Sequence, residues 1–349
     1  MPESLIENEG RVLRVNGQRF HAIWLRDNVQ DGQRPAALAT LPANLGLSAA
    51  VLRGDSLEIT FAPEDKTAVF ALQWLKDHAY DTPQERSEGH IPANCTPWGA
   101  GFASAVPAAP LPALLAYEAT KYSWLDAIRS FGFAKVTELV DREPAFRDVV
   151  AIFDPLCELQ QDQAMSSHGQ LPATAAPYRE PVPSLKLLIN LNPSLGGEII
   201  LVDGFACALR LMQEDPEGFT ALTAHSNRFA DTSRQGEALH SRRQIIELLP
   251  EGTLQTIRFN PRFAAPVTDV PFDRMETYYR AYRRFAELVD SPEMQITLPL
   301  AAGEALLLDN TRVLQGRKPS ESENACQFQS CFAQKDRLLS ALAALEASL

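Results

Sequence analysis

The apolar and polar positions of this chain alternate in short runs far more often than they recur at helical spacing. Arg11-Val12-Leu13-Arg14-Val15 alternates, Asn16-Gly17 is a strong two-residue hairpin signal, and Gln18 to Leu25 alternates again. The pattern returns over residues 50–61, on either side of Arg53-Gly54-Asp55, and a helix is expected next, with Val69, Leu72, Trp74 and Leu75 on its apolar side. Six prolines, several glycines and the run Ala105-Val106-Pro107-Ala108-Ala109-Pro110 within residues 82–112 predict an extended connection. A helix from about Leu114 to Ser130 stops at Gly132 and leads into a strand at Phe133–Val136. Beyond residue 183, strands are expected at Leu185–Leu191, Glu198–Val202, Thr256–Phe259 and Ala305–Asn310. Helices are expected from Phe205 through Met212 and from Tyr278 to Val289. The pattern predicts a β-rich α+β protein: a jelly-roll or double-stranded β-helix core with flanking helices, plus a small β-rich N-terminal domain. The expected division is 1–90 for the N-terminal domain, 91–112 for a Pro/Ala/Gly-rich linker and 113–349 for the core domain.

Composition narrows the classes. The 349 residues carry a formal net charge of −12, which argues against a nucleic-acid or anionic-membrane surface. No apolar run approaches the roughly 20 residues of a membrane span, and Met1-Pro2-Glu3-Ser4-Leu5 has neither region of a signal peptide. The five cysteines form no disulfide framework, so a reducing cytoplasm is the expected location.

Chemistry enters with motifs. Phe20-His21-Ala22-Ile23-Trp24-Leu25-Arg26-Asp27-Asn28, Gly196-Gly197-Glu198 through Val202-Asp203-Gly204-Phe205, Ile257 to Arg262, and Asp309-Asn310-Thr311-Arg312-Val313-Leu314 occur in order along the chain. So does Ala173-Thr174-Ala175-Ala176-Pro177-Tyr178-Arg179-Glu180-Pro181-Val182-Pro183. Together they resemble the γ-butyrobetaine-hydroxylase-like branch of the iron/2-oxoglutarate dioxygenase superfamily, whose corresponding segment reads His-Thr-Asp-x-Pro-Tyr-Arg-Asp-Pro-Val-Pro. The resemblance implies a double-stranded β-helix and a facial triad of two His and one carboxylate holding iron. It places Ala173, Ala175 and Gln315 at the three ligand positions. Two methyl groups donate nothing to a metal, and a glutamine carbonyl is a weak neutral ligand. The arginine that clamps 2-oxoglutarate in the family falls near Cys326, and Asn324 to Lys335 contains no Arg. Val29, Asp31 and Arg34 occupy the positions of a structural zinc's cysteines, so no zinc is expected. Neither iron nor 2-oxoglutarate is expected to bind. His168, His225 and His240 do not recover a triad by a shift of register.

The emptied barrel is expected to hold a small molecule. Lys186, on an inward-facing strand where relatives often have a neutral Gln, suits a base, an imine former or an anion anchor. Alternatively, it is a packed lysine paired with an acid. Tyr178 contacts substrate, donates a proton, or simply packs. Asn190, Asn260, Arg262, Gln315, Arg317 and Gln327 are the candidate polar contacts, while Cys326 and Cys331 are read as inert thiols. Three functions stay open: a metal-independent, non-oxidative enzyme of isomerase, lyase, cyclase or condensing type; a non-catalytic small-molecule binder; and an oxygenase with relocated ligands. Relatives imply a homodimer. The aromatic residues of the helix at 278–289 are assigned to the core.

Overall fold

The computed structural model describes residues 4–29, 38–81, 89–139, 142–154, 160–162, 170–190, 197–232, 238–318 and 328–348. The chain divides into two compact units, residues 1–85 and 86–349.

The smaller unit has two three-stranded antiparallel sheets, Ser4–Glu7, Val12–Val15 and Gln18–His21 in one, Gly46–Arg53, Ser56–Ala62 and Lys66–Ala71 in the other. Asn16 and Gly17 take φ of 50° and 86°, the positive pair that a two-residue hairpin turn requires. Alternate strand residues close a core of Leu13, Phe20, Leu57, Ile59, Phe61 and Phe70. Two expectations are corrected. The strand from Gln18 ends at His21, and Ala22–Asp27 is helical: the Ala22 N–H still bonds the Arg11 carbonyl, but the chain then turns on itself. Val69 lies in the third strand of the second sheet, and the helix begins only at Leu72. Val29 is buried in this core, whereas Asp31 and Arg34 lie outside the described residues.

In the larger unit, a six-stranded sheet runs in the order Ala108–Pro110, Phe133–Thr137, Ala305–Asp309, Leu185–Asn190, Phe328–Ala333, Gln160–Asp162. A four-stranded sheet runs Gln170–Ala173, Val313–Arg317, Gly197–Asp203, Gln295–Leu300. Strand Leu185–Asn190 is buried along its whole length, and its period of two divides two cores. Leu185, Leu187 and Ile189 pack outward with Trp124, Leu125, Leu338 and Leu342 of the helices Glu118–Phe131 and Lys335–Glu346. Leu188 points the other way, into a core shared with Leu306 and Leu308 of the same sheet and Ile199, Leu201, Ile296 and Val313 of the other. Two sheets closing on one inner core make the expected jelly roll. A third core gathers Phe205, Leu211, Phe219, Tyr278 and Phe285 from helices Gly204–Glu214, Pro216–Ala224 and Met275–Asp290. The core assignment holds for Tyr278 and Phe285, Tyr282 is partly buried against them, and Tyr279 is exposed instead.

Residues 91–112, expected to form a linker, are instead part of the larger unit. Ala108–Pro110 pairs in parallel with Lys135–Thr137, and Trp98 is buried in the inner core, its indole N–H bonded to the Phe131 carbonyl at 2.7 Å. The prolines permit extended backbone, and extended backbone can be packed. Leu111–Ala116 is a separate short helix ahead of Glu118–Phe131, where one helix was expected.

One ion pair joins these parts. The Arg312 guanidinium, almost fully buried, donates to both oxygens of Asp203 at 3.1 and 2.8 Å. It also donates to the carbonyls of Ser130 (2.9 Å) and Thr96 (2.8 Å). Arg312→Met strands the Asp203 charge, a loss expected to cost about 3–5 kcal/mol. Arg312→Met combined with Asp203→Leu should recover much of it. Urea denaturation of the larger unit checks both, and equal losses in the single and double variants would show that the pair is not what holds these segments.

Candidate active site

The three ligand positions implied by the motifs meet at one end of the barrel. Ala173 closes its strand directly opposite Gln315, which in turn lies opposite Leu201 of the inner core. Opposed residues of an antiparallel pair share a face with Cβ atoms about 4.5–5.5 Å apart, so Ala173 and Gln315 look into the barrel together. Gly316 lets the two strands approach: a Cβ there would lie 2.6 Å from the Gln170 carbonyl oxygen. Thr174, between the two alanines, is locked. Its N–H bonds the Phe259 carbonyl (2.8 Å), and its hydroxyl donates to Ile257 O (3.0 Å) and accepts from Phe259 N–H (3.0 Å). Asn310 accepts from the Ala175 N–H at 2.7 Å and donates to the carbonyls of Ala175 (3.0 Å) and Pro183 (2.8 Å). The backbone is fixed on both sides of two side chains that cannot ligate.

Apolar groups fill this end. Ala175, Ala176, Tyr178, Phe229, Phe263 and Phe332 form one cluster, with the Tyr178 ring set edge-on to Phe263 at 4.9 Å. The Gln315 amide is buried and donates to the Gly316 carbonyl at 2.9 Å. Two methyl groups and one neutral amide do not fit a facial iron triad. Among the described residues, no group of three or more His, Cys, Asp or Glu is placed to hold a metal.

The other candidates divide by position. Lys186 is opposite Leu308 and Phe332, Asn190 is two pleats further on, and Arg317 is opposite Ile199. All three are buried on the inner face. Asn190 donates to the Leu300 carbonyl at 2.6 Å, tying one sheet to the other. Asn260 donates to Thr174 O (3.0 Å) and accepts from the Arg262 N–H (3.1 Å), so both ends of its amide serve the scaffold. Arg262 is exposed, not within the barrel, with its guanidinium over the Phe263 ring at 5.6 Å. Cys331 is buried on the helix side of its sheet. His225 caps the end of the helix Pro216–Ala224, and His240 is exposed on the strand Leu239–Gln244. Gln327, Cys326 and His168 lie outside the described residues.

Sequence reasoning missed two arginines here. Arg179 lies over the Phe332 ring at 5.6 Å. Arg258 is buried and donates to the carbonyls of Pro177 (3.2 Å) and Arg179 (3.4 Å), holding the loop that carries Tyr178. Beside it the Arg243 hydrogen bond holds the Glu180 carboxyl below the usual carboxylate range, while burial pushes the Glu247 carboxyl up. The signal for Arg258 was its place in the Ile257–Arg262 motif, where an arginine flanked by two buried apolar residues must be satisfied on the opposite face.

A two-sheet barrel with its motif-bearing turn at one end defines the double-stranded β-helix class. The family model described as taurine catabolism dioxygenase TauD, TfdA family, matches residues 107–329, and the chain belongs to that family. Over its length it is similar to gamma-butyrobetaine dioxygenase of Pseudomonas sp. (strain AK-1), at 27% identity over 94% of this chain and 90% of that protein. It is similar also to the Homo sapiens gamma-butyrobetaine dioxygenase, at 25% identity over 93% and 90%. A solved asparagine oxygenase in complex with Fe(II), hydroxyasparagine and succinate has 18% identity and a TM-score of 0.48, over 64% of this chain and 82% of that one. Among the described residues no helix is long and apolar enough to cross a membrane.

If the three positions retain ligand geometry, the triple substitution Ala173→His, Ala175→Asp, Gln315→His should create stoichiometric Co(II) binding, read by visible absorption and metal analysis. A folded triple variant that binds no Co(II) would show that the backbone has moved away from that geometry.

Proposed function

We propose that this chain keeps a dioxygenase scaffold without iron or 2-oxoglutarate, and acts as a metal-independent, non-oxidative enzyme on a small amine- or carboxylate-bearing metabolite in the barrel. The observation that carries the reading is the set Ala173, Ala175 and Gln315, held on a locked backbone and packed against an aromatic cluster. Lys186 supplies the inward-facing amine, suited to proton transfer or imine formation. Tyr178, buried two residues beyond Ala176, offers a hydroxyl at the same end. Isomerisation, elimination, cyclisation and condensation all run on such acid–base groups without an oxidant. A non-catalytic binder is the second reading. It is favoured by the use of the Asn190, Asn260 and Gln315 amides within the scaffold, which leaves fewer groups to act on a ligand.

Metal analysis of protein purified without chelator, with an assay of 2-oxoglutarate turnover, tests the proposal. The expected result is no stoichiometric iron and no succinate. Stoichiometric iron with succinate release would establish an oxygenase with other ligands, in line with the names of its relatives. Metabolite profiling then separates enzyme from binder. Depletion of one metabolite by the wild-type protein, lost in Lys186→Met, marks the enzyme; retention without depletion marks the binder.

A further inference from the structure

The paired strands Ser226–Asp231 and Leu239–Gln244 have two faces with different duties. Phe229 and Ser241, register partners, serve the buried one. Phe229 joins the aromatic cluster around Tyr178, and the Ser241 hydroxyl donates to the Pro177 carbonyl at 2.6 Å. With a period of two, the neighbouring pairs Arg228–Arg242 and Ala230–His240 fall on the opposite face, where Arg228, His240 and Arg242 are exposed. The segment after Phe263 runs alongside, its Ala265 N–H bonded to the Arg228 carbonyl at 2.8 Å. A surface pocket of about 490 Å³ lies here, and its lining includes Arg228, Ala230, His240, Arg242, Ala265 and Pro266.

Like charges directly opposite on paired strands repel, and one carboxylate offsets the repulsion of Arg228 and Arg242. Asp269 accepts from Arg228 Nη2 at 3.1 Å and lies 2.8 Å from Arg242 Nη2. The Arg228 hydrogen bond holds the Asp269 carboxyl below the usual carboxylate range, so it is ionised at neutral pH. Two guanidiniums and one carboxylate leave one positive charge in excess, on a chain whose net charge is −12. Asp269 engages Nε and Nη2 of Arg228 and Nη2 of Arg242; the other guanidinium N–H groups of the pair bond nothing among the described residues. A carboxylate offers two oxygens, the match of one fork, whereas a phosphate offers three and can be met by two arginines at once. The volume suits a small molecule, and the alanines and proline offer surface to an apolar body. We propose that this outer pocket binds a small phosphomonoester, its phosphate between Arg228 and Arg242 and its apolar body against Ala230, Ala265 and Pro266. The proposal uses none of the barrel residues and is independent of the metal-free reading.

Calorimetric titration of the full-length protein with phenyl phosphate, inorganic phosphate and benzoate, at matched ionic strength, tests it. Phenyl phosphate should bind about tenfold more tightly than either of the others, since only it has both the phosphate and the apolar body. Arg242→Gln, at an exposed position and leaving Asp269 its Arg228 partner, should weaken phenyl phosphate about tenfold, the loss of one charge-assisted contact. Ala230→Leu, which fills the apolar side of the pocket, should weaken phenyl phosphate and leave inorganic phosphate unchanged. Both variants are read in protein whose circular dichroism matches the wild type, and where one does not fold the other decides. Phenyl phosphate affinity that is indifferent to these substitutions, or no tighter than that of benzoate or inorganic phosphate, overturns the proposal. So does the absence of any phenyl phosphate binding.

Discussion

The buried pair of Asp203 and Arg312 is the constraint on which the larger unit turns. Taking two charges out of water is unfavourable unless their hydrogen-bonding capacity is met, and here most of it is. Asp203 accepts from the Trp98 and Phe205 backbone N–H groups as well as from Arg312, and Arg312 reaches the carbonyls of Ser130 and Thr96. The pair thereby fixes five things at once: the 96–98 segment, the end of helix Glu118–Phe131, the end of strand Gly197–Asp203, the start of the helix that follows, and the turn before strand Val313–Arg317. That last strand carries Gln315 and Arg317 into the barrel. The motifs Val202-Asp203-Gly204-Phe205 and Asp309-Asn310-Thr311-Arg312 are the two halves of this one device. Their presence is a statement about scaffold, and it holds whether or not a metal is bound.

The triad end obeys a different rule. In a metalloprotein, the ion itself contributes free energy that orders its ligand loop. Here the loop after Ala173 is ordered by Thr174, by Asn310 and by Arg258, all through backbone carbonyls and amides. Burial of Ala175, Ala176, Tyr178 and their aromatic neighbours adds an apolar contribution that polar ligands would not make. The two kinds of motif therefore do separable physical work, which is why one can change while the other stays.

Periodicity made most of the larger unit legible. Strands at 185–190, 197–203 and 305–309 and the helix at 275–290 fall where the pattern places them, because each has a buried face or is buried on both. Short apolar runs were ambiguous. Ala22-Ile23-Trp24-Leu25 alternates well enough for a strand and is helical, since four residues cannot distinguish the two periods. The 91–112 segment was misread because proline content reports backbone conformation and not burial. At the site, the inward direction of Lys186, Gln315 and Arg317 followed from a period of two. The duties of Asn190 and Asn260 did not, because the carbonyls they hold, of Leu300 and Thr174, are 110 and 86 residues away in the chain. Arg179 and Arg258 escaped notice for the same reason: what they touch is set by tertiary closure.

The charge of the barrel gives the substitutions a common logic. An Fe(II) held by two neutral histidines and one carboxylate leaves a net positive centre, and that centre attracts anionic ligands. Ala173, Ala175 and Gln315 stand at the corresponding positions, and their side chains are neutral. A lysine stands at 186, where the resemblance leads one to expect a neutral glutamine, and Arg317 lies on the facing sheet. Both sheets thus place a positively charged side chain on the inner face. A lysine or arginine can offer hydrogen bonds and, for lysine, a proton or a nucleophilic nitrogen, but neither can activate oxygen. Under the metal-free proposal, the chemistry open to these side chains is that of protons and of a nucleophilic nitrogen.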